Sequence, residues 1–140
     1  MSRYRRTLPW ITMTVAFLVC CAVAAASGAI AYRAGKPSKL PYMVATVANR
    51  QVVKIRWGFK EPCEGAMPLP ASATNKLQAK IGKDGRFAKT VSYTSNGSEI
   101  TTSFSGTITA RTATVKIKDQ EFIPHYGGCF GTHTFKAVKT

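Results

Sequence analysis

Beyond residue 43, apolar and polar residues alternate with a period of two along most of the chain. In Gln51 to Phe59, Val53, Ile55, Trp57 and Phe59 alternate with Lys54, Arg56 and Gly58, so one face of an extended segment is apolar and the other charged. Val44 to Ala48 is the expected partner, with Asn49-Arg50 at the bend. Lys76 to Gly82 places Leu77, Ala79 and Ile81 on one side, and Phe87 to Thr94 places Phe87, Lys89, Val91 and Tyr93 together. Asp84-Gly85 and Asn96-Gly97 supply the positive φ that tight hairpin turns require. Ile100, Thr102 and Phe104 follow, then Ala113, Val115 and Ile117, and finally His133, Phe135 and Ala137.

No segment after residue 41 repeats apolar residues at helical spacing over three turns. The pattern predicts an all-β domain, a small antiparallel β-sandwich or barrel of about seven strands. Two stretches escape the alternation and read as loops, 61–74 (EPCEGAMPLPASAT) and 119–131 (DQEFIPHYGGCFG).

The first part of the chain has another character. Arg3, Arg5 and Arg6 precede an uncharged run from Leu8 to Tyr32. A basic start, an apolar stretch and small residues near its end describe a secretory signal, with Ala24-Ala25-Ala26 before Ser27, or Ala22-Val23-Ala24 before Ala25, suited to cleavage. The same run is long enough to cross a bilayer as an uncleaved helix. Cys20 and Cys21 lie within it, but Leu18-Val19-Cys20 lacks the small residue a lipidation site needs before its cysteine. The expected organisation is a signal peptide or transmembrane anchor over 1–32, a linker over 33–42 containing Pro37 and Pro41, and a β domain over 43–140. The expected location is extracytoplasmic, either secreted or anchored to the cell membrane.

Composition narrows the chemistry. The 140 residues hold 20 Lys and Arg against 6 Asp and Glu, a net charge of +14. Removing the three leading arginines leaves 17 bases against 6 acids, or +11, on the remainder. So few carboxylates leave little material for multi-acid active sites, and Gly-x-Ser-x-Gly elbows, phosphate-binding glycine loops and His-Glu-x-x-His helices do not occur. Lys54, Arg56, Lys76, Lys80, Lys116 and Lys118 all fall opposite the apolar faces of their strands. If the strands are neighbours, these form a basic sheet face that attracts polyanions; the plainer reading is a solvated face that deters edge pairing. Export argues against nucleic acid, which leaves anionic lipid, an acidic cell-wall polymer or another exported protein as partners.

Cys63 and Cys129 are the sole cysteines outside the apolar run, and an oxidising compartment makes them a disulfide pair. The alternative joins them with His125 and His133 as zinc ligands, but Gly127-Gly128 opposes the helix on which a four-residue spacing would converge. A cysteine nucleophile would require a free thiolate, which the pairing removes. No catalytic residue, metal or cofactor is therefore expected.

Three short runs, IGKDGRF (Ile81 to Phe87), FSGTI (Phe104 to Ile108) and CFGTHTFKA (Cys129 to Ala137), resemble bacterial, largely actinobacterial, exported β-rich domains of unknown function. The resemblance spans residues 43–140. It implies a β fold and an exported location, and carries no activity. The expected function is a non-catalytic envelope module that binds an anionic surface or another exported protein. The alternatives are a structural or inhibitory module acting through loops 61–74 and 119–131, and a small metalloprotein or hydrolase.

Overall fold

A computed structural model describes residues 28–125 and 127–140, and this part of the chain is all-β. Eight strands follow in order: β1 (Ile30–Lys36), β2 (Lys39–Ala48), β3 (Gln51–Cys63), β4 (Ala66–Lys80), β5 (Arg86–Ser95), β6 (Ser98–Ile108), β7 (Thr112–Ile123) and β8 (Gly127–Lys139). All pair antiparallel in one sheet of spatial order β4-β3-β2-β1-β8-β7-β6-β5. Because β1 and β2 are short, the last residues of β3 reach the first of β8, where Cys63 pairs with Cys129. That contact closes β8, β1, β2 and β3 into a ring, with the remaining four strands continuing from it. The two sheet ends return towards each other through the 81–85 turn, where the Gly82 amide donates to the Arg86 carbonyl at 2.8 Å.

The alternation read from sequence is the inner surface. Met43, Ala45, Ile55, Trp57, Phe59, Leu77, Phe104, Val115, Ile117 and Phe135 fill one buried cluster that both halves of the sheet contribute to. Burying each of the larger side chains contributes about 1.5–3 kcal/mol, which makes this cluster the main source of stability. Trp57 extends its indole N–H to Asn75 Oδ1 at 3.0 Å, so its polar edge is satisfied inside the core. Register shifts at Thr46/Val47 and Val52/Lys54 insert an extra residue in β3. As a result Val52, not the expected Val53, enters the core.

Several expectations need correction. The described residues form eight strands, where about seven were expected. Residues 33–42, read as a linker, form most of the β1–β2 hairpin. Tyr32, assigned to the end of the apolar run, is a core residue of β1 whose hydroxyl donates to the Thr109 carbonyl at 2.6 Å. The two supposed loops are long hairpins: β3–β4 turns at Glu64-Gly65, and β7–β8 turns between Ile123 and Gly127. Pro68 and Pro70 are tolerated because β4 is an edge strand, with one side of its backbone unpaired, and Pro62 of β3 sits in the register shift between Glu61 and Cys63, where it pairs with no residue of β4. Of the signal or anchor segment expected over 1–32, residues 1–27 with Cys20 and Cys21 lie outside the described residues. Among the described residues no helix is long and apolar enough to cross a membrane.

Candidate functional site

The strand directions give the molecule two distinct ends. β3, β5, β7 and β1 start at one end; β4, β6, β8 and β2 finish there. Gly28 and Ile30, the turns at Asn49-Arg50, 81–85 and 109–111, and the C-terminal Lys139 all gather at that entry end. The disulfide and the turns at 64–65, 96–97 and 124–125 mark the far end.

The interior of the far end is acidic. Beyond Trp57 and Phe59, the next inward residue of β3 is Glu61, only 1% exposed. Phe59 stacks between Trp57, 5.0 Å away, and His133 of β8, 5.7 Å away. Gly131 leaves the space this arrangement needs, since a Cβ there would lie 2.6 Å from the Phe59 ring and 2.7 Å from Glu61 Cγ. Asp119 of β7 stands opposite Gly131 on one side and Thr102 on the other, and it too is buried. The Thr102 hydroxyl donates to Asp119 Oδ1. Glu61 Oε1 is buried with no hydrogen-bond partner.

Electrostatics follows from this placement. Burial, then the charge of and hydrogen bond to Asp119, then the charge of Glu121, push the Glu61 carboxyl up to about 8. Burial raises Asp119 as well, against the opposing hydrogen bonds from Thr102 and Glu61. The two acids thus hold a shared proton at neutral pH, as close carboxyls without a cation do. Desolvation with the Asp119 and Glu121 charges also raises the Tyr93 phenol. Sequence reading saw these acids only as loop residues, because the strands that face them inward were read as irregular.

Cys63 and Cys129 form the expected disulfide, with sulfurs 2.06 Å apart and a sequence separation of 66. The Glu64 amide donates to the Gly128 carbonyl at 2.9 Å, and the Gly128 amide to Glu64 Oε2 at 3.2 Å, extending the bridge by two hydrogen bonds. His125 is an exposed turn residue at φ 70°, while His133 is stacked on Phe59 and tilted against Phe135. Among the described residues no three His, Cys, Asp or Glu side chains converge as metal ligands.

The six basic residues expected on one face are all exposed but lie in two groups. Lys54 pairs directly with Lys76, and Arg56 and Lys80 extend this patch over β3 and β4. Arg56 also lies over the Tyr42 ring at 5.9 Å. Lys116 and Lys118 stand on β7, with β8, β1 and β2 intervening on the shared sheet. A third group was missed. Arg50, Lys80 and Lys83 line a surface cavity of about 470 Å³ at the entry end. Turn residues carry no alternation, so nothing in the pattern of the chain announces that they meet. Among the described residues a single ion pair forms, Arg86 with Asp84 at 3.6 Å.

Comparison of the chain with protein-family models, with curated proteins and with solved structures finds no match.

Proposed function

We propose that this protein is an exported or membrane-anchored, non-catalytic β module that binds an anionic surface of the cell envelope. The observation that carries this reading is the surplus of exposed, unneutralised cations, with only Arg86 held in an ion pair among the described residues. Basic groups left unpaired over a rigid sheet sum to a positive field that draws polyanions. The oxidised thiol pair fits an extracytoplasmic setting, and the uncharged run from Leu8 supplies the route there. Nothing about the cations calls for bond-making chemistry.

The test is adsorption of the full chain to beads carrying poly(glycerol phosphate), with uncharged dextran beads as control. Retention at 50 mM NaCl that disappears at 500 mM supports the reading, because the screening length falls below the spacing of surface charges. Absence of retention, or retention indifferent to salt, refutes it.

A second reading rests on a different observation. Met67, Leu69, Phe122 and Phe130 are exposed at the far end, around the disulfide. Such residues suit contact with another exported protein through the 61–74 and 119–131 hairpins.

A further inference from the structure

The positive charge is not evenly spread along the strands. Five of the six acids, Glu61, Glu64, Glu99, Asp119 and Glu121, belong to the far end, whereas the entry end has only Asp84, already paired with Arg86. Arg50, Lys80, Lys83, Arg111 and Lys139 all reach the entry end. Arg50 also lines a second cavity of about 430 Å³ at this end, whose lining includes Ile30, Val47, Ile81 and Ile108. A cationic rim with apolar floor is the surface chemistry of a group that lies on a phospholipid headgroup layer.

The chain itself says which way this end points. Gly28, lining the same cavity, lies near the end of the uncharged run from Leu8 to Tyr32. If that run is held in a bilayer, its exit point holds the entry end within a few residues of the surface.

One backbone detail favours the same end. The turns Asn49-Arg50 and Asn96-Gly97 are both two-residue hairpin turns with positive φ at both positions, 50° and 57° in the first, 49° and 81° in the second. Gly97 adopts this conformation freely, whereas an arginine there costs about 1 kcal/mol. The chain therefore keeps a guanidinium at the lip of the entry-end cavity in place of the residue that its own second turn uses.

We infer that the entry end, through Arg50, Lys80, Lys83, Arg111 and Lys139, docks flat on an anionic phospholipid bilayer, with the acidic, disulfide-bonded end directed away from it. This rests on the proposed envelope location and specifies the face and the orientation. It differs from adhesion through the flat strand faces that carry Lys54, Arg56, Lys76, Lys116 and Lys118.

The experiment is amide hydrogen exchange on the full chain reconstituted into lipid discs, one set of pure phosphatidylcholine and one with phosphatidylglycerol as half of the lipid. Slowing of at least tenfold at 49–51, 82–85 and 109–111 in the anionic discs alone, abolished at 500 mM NaCl, is the expected result. The turns at 64–65 and 96–97 exchange equally in both. The triple variant Arg50→Glu/Lys83→Glu/Arg111→Glu should lose the protection, since each basic residue near an anionic surface is worth roughly fivefold. Lys54→Glu/Lys116→Glu should keep it. Equal exchange of the entry turns in both discs overturns the inference while leaving anionic binding intact. Protection that follows Lys54 and Lys116 instead also overturns it, in favour of side-on adhesion. A chain that enters neither disc but still adsorbs to poly(glycerol phosphate) beads overturns it in favour of a wall polymer; failure of both removes the parent reading too.

Discussion

Replacing Glu61 by glutamine should make the protein more stable above neutral pH and change little near pH 5. In the unfolded chain this carboxyl loses its proton near 4.5, whereas the folded protein retains it to about 8. Between those values the folded state binds one more proton, so raising the pH draws the equilibrium towards the unfolded chain. Stability contributed by this group is complete below about pH 4.5 and falls as pH rises through 8. Asp119, also raised, acts in the same direction. The ceiling on the slope is about 1.4 kcal/mol per pH unit.

The far end is thinly covered, which softens desolvation even though solvent does not touch Glu61. Half the ceiling still leaves about 2 kcal/mol between pH 5 and 8. In Glu61→Gln the amide keeps a donor for Asp119 and removes the second charge, so this slope should shrink to the part that the burial of Asp119 contributes. Urea midpoints measured at pH 5, 6, 7 and 8 with the disulfide intact provide the comparison. His133 is common to both proteins, so their difference reports Glu61. A wild-type stability that stays level or rises from pH 5 to 8, or a variant with the same slope, would refute the buried, shared proton.

Arg50→Gly should raise stability by about 1 kcal/mol, through relief of the positive-φ arginine, while weakening adsorption to anionic beads; thermal unfolding and bead retention together check the trade. Reduction of Cys63–Cys129, or their joint replacement by alanine, should cost about 4 kcal/mol in the chain-entropy account, seen as a lower urea midpoint. Gly131→Ala should destabilise by about 1–3 kcal/mol, because its methyl meets the Phe59 ring and Glu61; a variant as stable as the parent would mean the two elements are not packed as described.

Periodicity made the interior of the sheet legible and left its ends obscure. Ile55, Trp57, Phe59, Leu77, Val115, Ile117 and Phe135 were assigned inward by alternation alone, and all are buried. β1 was hidden because Ile30 and Tyr32 continue an uncharged run, within which no contrast with polar neighbours survives. Val52 was missed because a bulge shifts the register by one residue, and a shift of one exchanges the faces. The far halves of β3, β4, β7 and β8 were concealed by prolines, glycines and inward acids, residue types that mark loops elsewhere. The disulfide followed from cysteine count and compartment. The proton-sharing acids and the entry-end cations required three-dimensional placement, since each set joins residues from separate hairpins.

Two residues break local rules in opposite ways and at opposite ends. Glu61 is a carboxyl in a place where an apolar residue would fold more easily, and Arg50 is a long cation in a turn made for glycine. Such departures tend to persist where something other than folding benefits from them. For Arg50 the benefit is a charge held at the lip of a cavity on the side where the uncharged segment enters. For Glu61 and Asp119 the effect is to keep negative charge at the far end without exposing it, and the shared proton limits that charge to about one unit at neutral pH. The far end therefore keeps part of its acidic charge buried and is apolar at its rim, with Met67, Leu69, Phe122 and Phe130 outside, while the entry end stays strongly positive. On the proposed docking, a body built this way would orient over an anionic surface before any contact forms, because the field acts mainly on one end. Raising the pH through 8 would add a second buried negative charge to the far end, sharpening that orientation as it weakens the fold.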